Sequence, residues 1–318
     1  MKPDLKALLS GVEKGDKRSA SRLMTLIEDE GPESEEALKV LYAFTGKALV
    51  VGITGWPGVG KSSLINQIAK VYLKEGKRVG IVAVDPTSPF SGGSLLGDRL
   101  RFREIEGHGN LFIRSAASRG YHGGISRAAR SFTMVMEAMG YDVIILETMG
   151  IGQDQIAVSL IADTTIVVVA PGLGDHLQAI KAGILEIGDI FVVNKADRPD
   201  AERAVQDLES AIRLRDKAGW SPPVLKTVAA NGSGIHELVQ QIGRHRAQCS
   251  ALGSVPSAKI EAAKSEIAEA LRRRLYEHFF GRQTPNESVE AKYARQLCEG
   301  KNDPYLIADL ILAEKGIT

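Results

Sequence analysis

Gly55-Trp56-Pro57-Gly58-Val59-Gly60-Lys61-Ser62 places three glycines within six residues and follows them at once with a cation and a hydroxyl. A phosphate chain needs backbone N–H groups turned inward to meet its charge. Gly55, Gly58 and Gly60 permit that turn, because glycine tolerates unusual dihedrals and lets the backbone approach closely. In such a P-loop the lysine, here Lys61, reaches the β and γ phosphates, and the Ser62 hydroxyl is the expected Mg²⁺ ligand. Pro57, Val59 and Ser63 complete the nucleotide-facing string. The flanks fit. Ala48 to Thr54 is one apolar run of the kind a buried parallel strand shows. Leu64, Ile65, Ile68, Ala69 and Tyr72 recur at helical spacing, so the phosphates would sit at a helix N-terminus. The fold expected from this unit is α/β, a mainly parallel sheet with helices on both faces.

A second string, Asn194-Lys195-Ala196-Asp197, follows the apolar run Ile190 to Val193. Guanine presents two donors on one edge, N1–H and an exocyclic amine, and a carboxylate such as Asp197 accepts both in a charge-assisted pair. Adenine presents an acceptor at N1 and is disfavoured. Asn194 would meet the O6/N7 side of the base or brace the loop, and the Lys195 stem can lie over the base face. The loop Val228 to Gly232, with Ala229, Ala230 and Asn231, follows another strand and offers backbone amides to the base. The ligand implied is GTP or GDP.

Three regions separate along the 318 residues. Residues 1–46 read as helical, with Pro3 in a first turn, stripes at Leu5, Leu8, Leu9 and Val12 and at Leu23, Met24 and Ile27, and a third helix from Pro32. Residues 47–247 alternate strand and helix, with strands expected at 78–85, 111–114, 141–148, 164–170, 191–194 and 224–228, which is the pattern of a parallel sheet. Residues 256–318 form a helical arm. Its long helix, 259–280, carries Ile260, Ala263, Ile267, Leu271, Leu275 and Phe279 on one stripe, with Glu269 and Arg273 paired on the other side. Such a stripe needs cover, from self-association or from packing back onto the sheet domain.

Composition sets outer bounds. A net charge of +1 gives no bulk attraction to nucleic acid. No apolar run approaches the length that spans a bilayer, so a soluble, cytoplasmic chain is expected. Cys249 and Cys298 are the two cysteines, far apart, and read as ordinary reduced thiols.

Phosphoryl transfer asks for carboxylates near a metal and for a loop that senses the γ-phosphate. Asp85 closes one strand, Asp98 sits in the glycine-rich segment Ser91 to Arg99, and Glu147 ends the strand Tyr141 to Leu146. A cap or turn role is the plainer alternative for each. Gly150-Ile151-Gly152-Gln153-Asp154 follows Glu147 as a candidate switch, in which Gln153 either orients water or caps a helix. Arg119-Gly120 and Gly123-Gly124 make a further basic, bendable segment.

These strings together, with Val84 to Pro89, Ser91 to Arg99, Glu147 to Gln153 and Asn194 to Asp197, resemble the MeaB/ArgK/MMAA group of P-loop GTPases in the SIMIBI class. Pro171 to Glu186 resembles that group's mobile segment, and Asn302-Asp303-Pro304-Tyr305 resembles its C-terminal dimerisation arm. The resemblance implies a homodimeric chaperone of an adenosylcobalamin-dependent acyl-CoA mutase, methylmalonyl-CoA mutase or a sister enzyme, with the cobalamin held by the partner. It implies that Ser62, Asp85, Asp98 and Glu147 organise Mg²⁺, and that Asp175, Gln178 and Lys181 report the nucleotide state to the mutase. Asp154-Gln155 and His176 depart from the group's usual residues. Two other readings compete: a kinase or ATPase linked to basic amino-acid transport, and a nickel-insertion GTPase. Asp197 opposes the first. The scatter of six His and two Cys opposes the second.

Overall fold

The computed structural model describes residues 4–29, 32–85, 102, 104–117, 124–148, 150, 154–172, 183–214, 219–251, 257–280, 289–298 and 303–314. The chain divides into two compact units, Met1–Pro256 and Ser257–Thr318.

The first unit opens with helices α1 (Leu5–Glu13), α2 (Lys17–Glu28) and α3 (Pro32–Leu41). Asp4 caps α1 and Asp16 caps α2, each side chain accepting first-turn amides, including Ser19 N–H at 2.8 Å. The first helix therefore begins at Leu5, just after its acidic cap, and Pro3 lies outside the described residues. Strand β1 (Leu49–Thr54) leads to α4 (Lys61–Lys74), then β2 (Val79–Asp85) and β3 (Leu111–Ala117). Helix α5 (Gly124–Ala138), β4 (Val143–Glu147) and the single turn α6 (Asp154–Ala157) follow. Next come β5 (Thr164–Val169), the short α7 (Ile184–Ile187), β6 (Ile190–Asn194), α8 (Ala201–Arg213), β7 (Val224–Thr227) and α9 (Ile235–Ala251). β3 runs three residues past the expected Arg114, because Ser115, Ala116 and Ala117 continue the ladder against Ala83, Val84 and Asp85.

All six strand pairs are parallel, in the order β3-β2-β4-β1-β5-β6-β7. The chain leaves β1 in one direction, returns to insert β4 beside it, then continues in the other direction. That reversal makes β1 the switch point of the sheet, and open α/β sheets hold ligands at the C-terminal ends of strands at such a point. Alternation decides the two faces. Leu49, Val51 and Ile53 of β1 pack with Leu64, Ile65 and Ile68 of α4 and Leu238 and Ile242 of α9. Val50 points the other way, into a core shared by Leu8, Val12, Leu23 and Met24 of the N-terminal helices and Phe132 and Met136 of α5. On that face Gly52 admits the turn after α6, since a Cβ there would lie 2.8 Å from Val158 Cγ2. Glu137, at the end of α5, accepts the amides of Gly46, Lys47 and Ala48 and so anchors the entry to β1. Burial pushes its carboxyl above the ordinary range, against the pull of those three amides.

The second unit consists of α10 (Ser257–Phe280), α11 (Val289–Cys298) and α12 (Pro304–Glu314). Glu269 pairs with Arg272 at 3.4 Å, one residue before the expected Arg273, whose side chain lies outside the described residues.

Candidate nucleotide site

The phosphate loop spans the end of β1 and the start of α4. Gly60 is the residue before the helix, with φ 96°. A side chain there would collide with Asn194, whose Nδ2 lies 2.4 Å from the Cβ position. Gly55, at φ 140°, is under the same constraint, because a Cβ would stand 2.1 Å from the Val168 carbonyl of β5. Gly58 meets nothing within 4 Å, so its φ of 82° alone requires glycine. The loop thus presents its amides at the N-terminus of α4, where the helix dipole adds to their pull on an anion.

Lys61 is the first residue of α4 and is buried, its Nζ donating to Gly55 O at 2.7 Å and Trp56 O at 3.1 Å. A buried ammonium held by two loop carbonyls is a cation fixed against the phosphate cradle, not one swinging in solvent. Ser62 Oγ donates to Glu147 Oε1 at 2.6 Å. Sheet order makes that contact: Glu147 ends β4 opposite Ile53 of β1, one strand from the loop. A hydroxyl and a buried carboxylate, both hard oxygen donors, converge at the head of the phosphate helix, and this donor set fits Mg²⁺. Asp85 ends the neighbouring β2, two residues beyond Ala83, which pairs with Glu147, so its backbone reaches the same edge of the sheet.

Glycine at 150 is a steric requirement. A Cβ there would lie 1.9 Å from Gly55 O and 2.9 Å from Lys61 Nζ. Gly150 therefore rests directly on the phosphate loop. Thr148 reinforces the junction, its Oγ1 donating to Thr54 Oγ1 at 3.0 Å.

The string from Asn194 to Asp197 is tied to the same loop. Asn194 is buried; its Nδ2 donates to Val59 O at 2.9 Å, and its Oδ1 accepts Thr227 Oγ1–H at 3.1 Å and Ala229 N–H at 3.0 Å. Of the two roles open to it from sequence, these contacts give it the bracing one. They also use the Ala229 amide, which was expected to face the base, on Asn194. Ala230 stands exposed at the tip of that loop, and Asn231 closes the turn, its amide on Val228 O and its Oδ1 on Ser233 N–H. Lys195 takes a left-handed φ of 56° and donates from Nζ to Gly58 O at 2.7 Å. Asp197 stands exposed beyond it. Gln67, which sequence did not single out, donates to Ala229 O at 3.0 Å and clamps α4 to the loop after β7. Its position two turns along α4 gave no signal, since the contact spans 162 residues.

Asp98, Gln153, Asp175, Gln178 and Lys181 lie outside the described residues, as do Arg119, Gly120 and His176.

The family model of the methylmalonyl Co-A mutase-associated GTPase MeaB matches residues 20–284. A putative GTPase of Pyrococcus abyssi is 40% identical over 311 residues, covering 96% of this chain and 95% of its own. GTPase ArgK of Escherichia coli is 33% identical, with 91% and 89% covered. The mouse mitochondrial methylmalonic aciduria type A homolog is 32% identical, with 96% of this chain and 78% of the relative covered. Among solved structures, one described as a LAO/AO transport system kinase superposes with a TM-score of 0.70 at 26% identity, covering 98% of this chain and 97% of that one. A parallel sheet whose phosphate loop is braced by its own Asn-Lys-x-Asp string agrees with these matches, and the chain belongs to the MeaB family of GTPases.

Proposed function

We propose that this GTPase couples guanine-nucleotide turnover to the service of an adenosylcobalamin-dependent acyl-CoA mutase, methylmalonyl-CoA mutase or a sister enzyme. In this reading it gates cofactor loading and the removal of damaged cobalamin, and the cobalamin is held by the mutase. The family's association with methylmalonyl-CoA mutase supports the client class. The observation that carries the nucleotide part is the pair of bonds from Asn194 to Val59 O and from Lys195 to Gly58 O. They make base recognition and phosphate binding one rigid body, so a base seated on Asp197 is held in register with Lys61.

Within that body each residue has a task. Amides of the loop from Gly55 to Ser63 bind the phosphate oxygens, and Lys61 offsets the charge that develops on them. Ser62 and Glu147, joined by Asp85 and Asp98, would hold Mg²⁺, which would offset negative charge on the phosphate oxygens. Gly150, seated on Gly55 O, is the point through which a change at the terminal phosphate would reach the segment containing Gln153. Asp175, Gln178 and Lys181 would pass that change to the mutase. The exposed stripe of α10 supports a homodimer, and hydrolysis is slow until the mutase engages.

The test is GTP turnover by the purified chain with and without each acyl-CoA mutase of the same organism. Acceleration by one of them is expected; indifference to all of them removes the chaperone reading. Transport-linked kinase chemistry is the competing reading, and ATP binding as tight as GTP binding would revive it.

A further inference from the structure

At the N-terminal ends of β5 and β6, the ends away from the phosphate loop, Thr164, Asp189, Trp220 and Cys249 meet around one buried imidazole. His245 lies on α9 with Cys249 one turn further along. Its Nδ1 is 2.9 Å from Thr164 Oγ1, at the start of β5, and its Nε2 is 3.5 Å from Cys249 Sγ and 3.6 Å from Asp189 Oδ1, just before β6. Asp189 is itself held, with Oδ2 accepting Thr165 N–H at 2.9 Å and its carbonyl accepting the Trp220 indole N–H at 2.7 Å. The Trp220 ring lies 4.9 Å from the imidazole and roofs it. The contacts described for these groups are with one another and with the starts of β5 and β6, and the GTPase reading gives them no work.

We propose that Cys249, with His245 as its proton acceptor, is a reactive-thiol site that exchanges with small disulfides. The arrangement is a nucleophile, a base within reach of it, and groups that orient the base. With Nδ1–H donated to Thr164 Oγ1, the Nε2 lone pair faces the thiol. The Cys249 proton passes to Nε2, and the imidazolium so formed is stabilised by the Asp189 carboxylate on one side and the Thr164 hydroxyl on the other. The thiolate attacks one sulfur of the incoming disulfide, its S–S bond breaks, and the departing thiolate takes up the proton. Cys249 ends in a mixed disulfide, oxidised at the expense of the reagent, with no other co-reactant. Access comes from the partial exposure of Cys249 on the last turn of α9. Among the described residues, charged and titratable groups that face the imidazole include Asp189 from the β6 side and Cys249 from α9. From the β5 side Asp163 is engaged by the Val50 amide at 2.8 Å.

The chain carries its own control, since Cys298 is free and more exposed. Two single-thiol variants, Cys298→Ser and Cys249→Ser, are treated with dipyridyl disulfide while the released thiopyridone is followed across pH. Below about pH 7 Cys249 is expected to react at least tenfold faster than Cys298, because a neighbouring imidazolium maintains thiolate where a free thiol is protonated. His245→Ala in the Cys298→Ser background should erase that advantage at low pH and leave the high-pH rate near that of Cys298. A Cys249 rate below that of Cys298 at every pH overturns the proposal, as does a profile unmoved by the His245 change. Should His245→Ala fail to fold, the thiolate absorbance of the Cys298→Ser chain, titrated with His245 intact, decides instead: a midpoint at or above the free-thiol value also overturns it.

Discussion

Helices α4 and α10 carry the same kind of apolar stripe and meet opposite fates. In α4, Leu64, Ile65, Ile68 and Ala69 are wholly buried. In α10, Ile260, Ile267, Leu271 and Leu275 remain 45%, 62%, 57% and 53% exposed. Helical periodicity reports that a face wants cover and does not report what covers it. For α4 the cover is the sheet, and that packing holds the helix head beside the phosphate loop. For α10 the described residues leave the stripe exposed, which is what the proposed homodimer would cover.

Separating the two tasks of α4 gives the largest expected effect. Lys61→Ala removes the buried cation fixed in the phosphate cradle, so GTP turnover should fall at least about a thousandfold, roughly 4 kcal/mol of transition-state stabilisation. The thermal unfolding midpoint should stay close to that of the parent chain. Residual turnover within tenfold of the parent would show that charge is supplied elsewhere. Two turns along the same helix, Ile68→Ala should leave a cavity under β1 and cost about 2–5 kcal/mol in urea unfolding. A cost below about 1 kcal/mol would mean that the stripe can collapse, and that α4 is not the rigid mount described above.

A smaller effect is expected at the far side of the nucleotide. Asp197→Asn keeps the size of the side chain and removes the charge that both guanine donors need. GTP affinity should weaken by about 2 kcal/mol, near thirtyfold, with ATP affinity unchanged, as read by calorimetry. An equal loss for ATP would move Asp197 from base reading to loop stability.

How much of this was legible in sequence follows from distance along the chain. The phosphate loop was readable because its requirement is local: three glycines set backbone dihedrals within six residues. The parallel sheet was readable because its buried strands are unbroken apolar runs such as Thr164 to Val169 and Ile190 to Val193. Partnership across the sheet was not. Ser62 meets Glu147, 85 residues away, only because β4 inserts beside β1, and strand alternation does not state that order. The same holds for Gly150 against Gly55 O, and for Asn194, whose string was recognisable while its choice between base and loop needed the position of Val59. Cys249 illustrates the limit most simply. Its spacing from His245 was visible as one helical turn, but Asp189 and Thr164 arrive from separate strands, and the thiol read as ordinary without them.

The comparison is sharpened furthest by a change on α10 that should cost the folded chain almost nothing. Ile267→Asp puts a carboxylate on an already exposed position, so unfolding of the dissociated chain should shift by less than about 0.5 kcal/mol. If the α10 stripe is covered by a second copy, the same carboxylate is buried at an apolar interface without a partner, and desolvation should dissociate the dimer. Sedimentation then separates the explanations: a dimer for the parent chain and a monomer for the variant, with equal unfolding midpoints at low concentration, assigns the stripe to self-association. An unchanged dimer would place the interface elsewhere. A monomeric parent whose melting falls by several kcal/mol on the substitution would show that α10 buries its stripe within one chain, and the contrast with α4 would vanish.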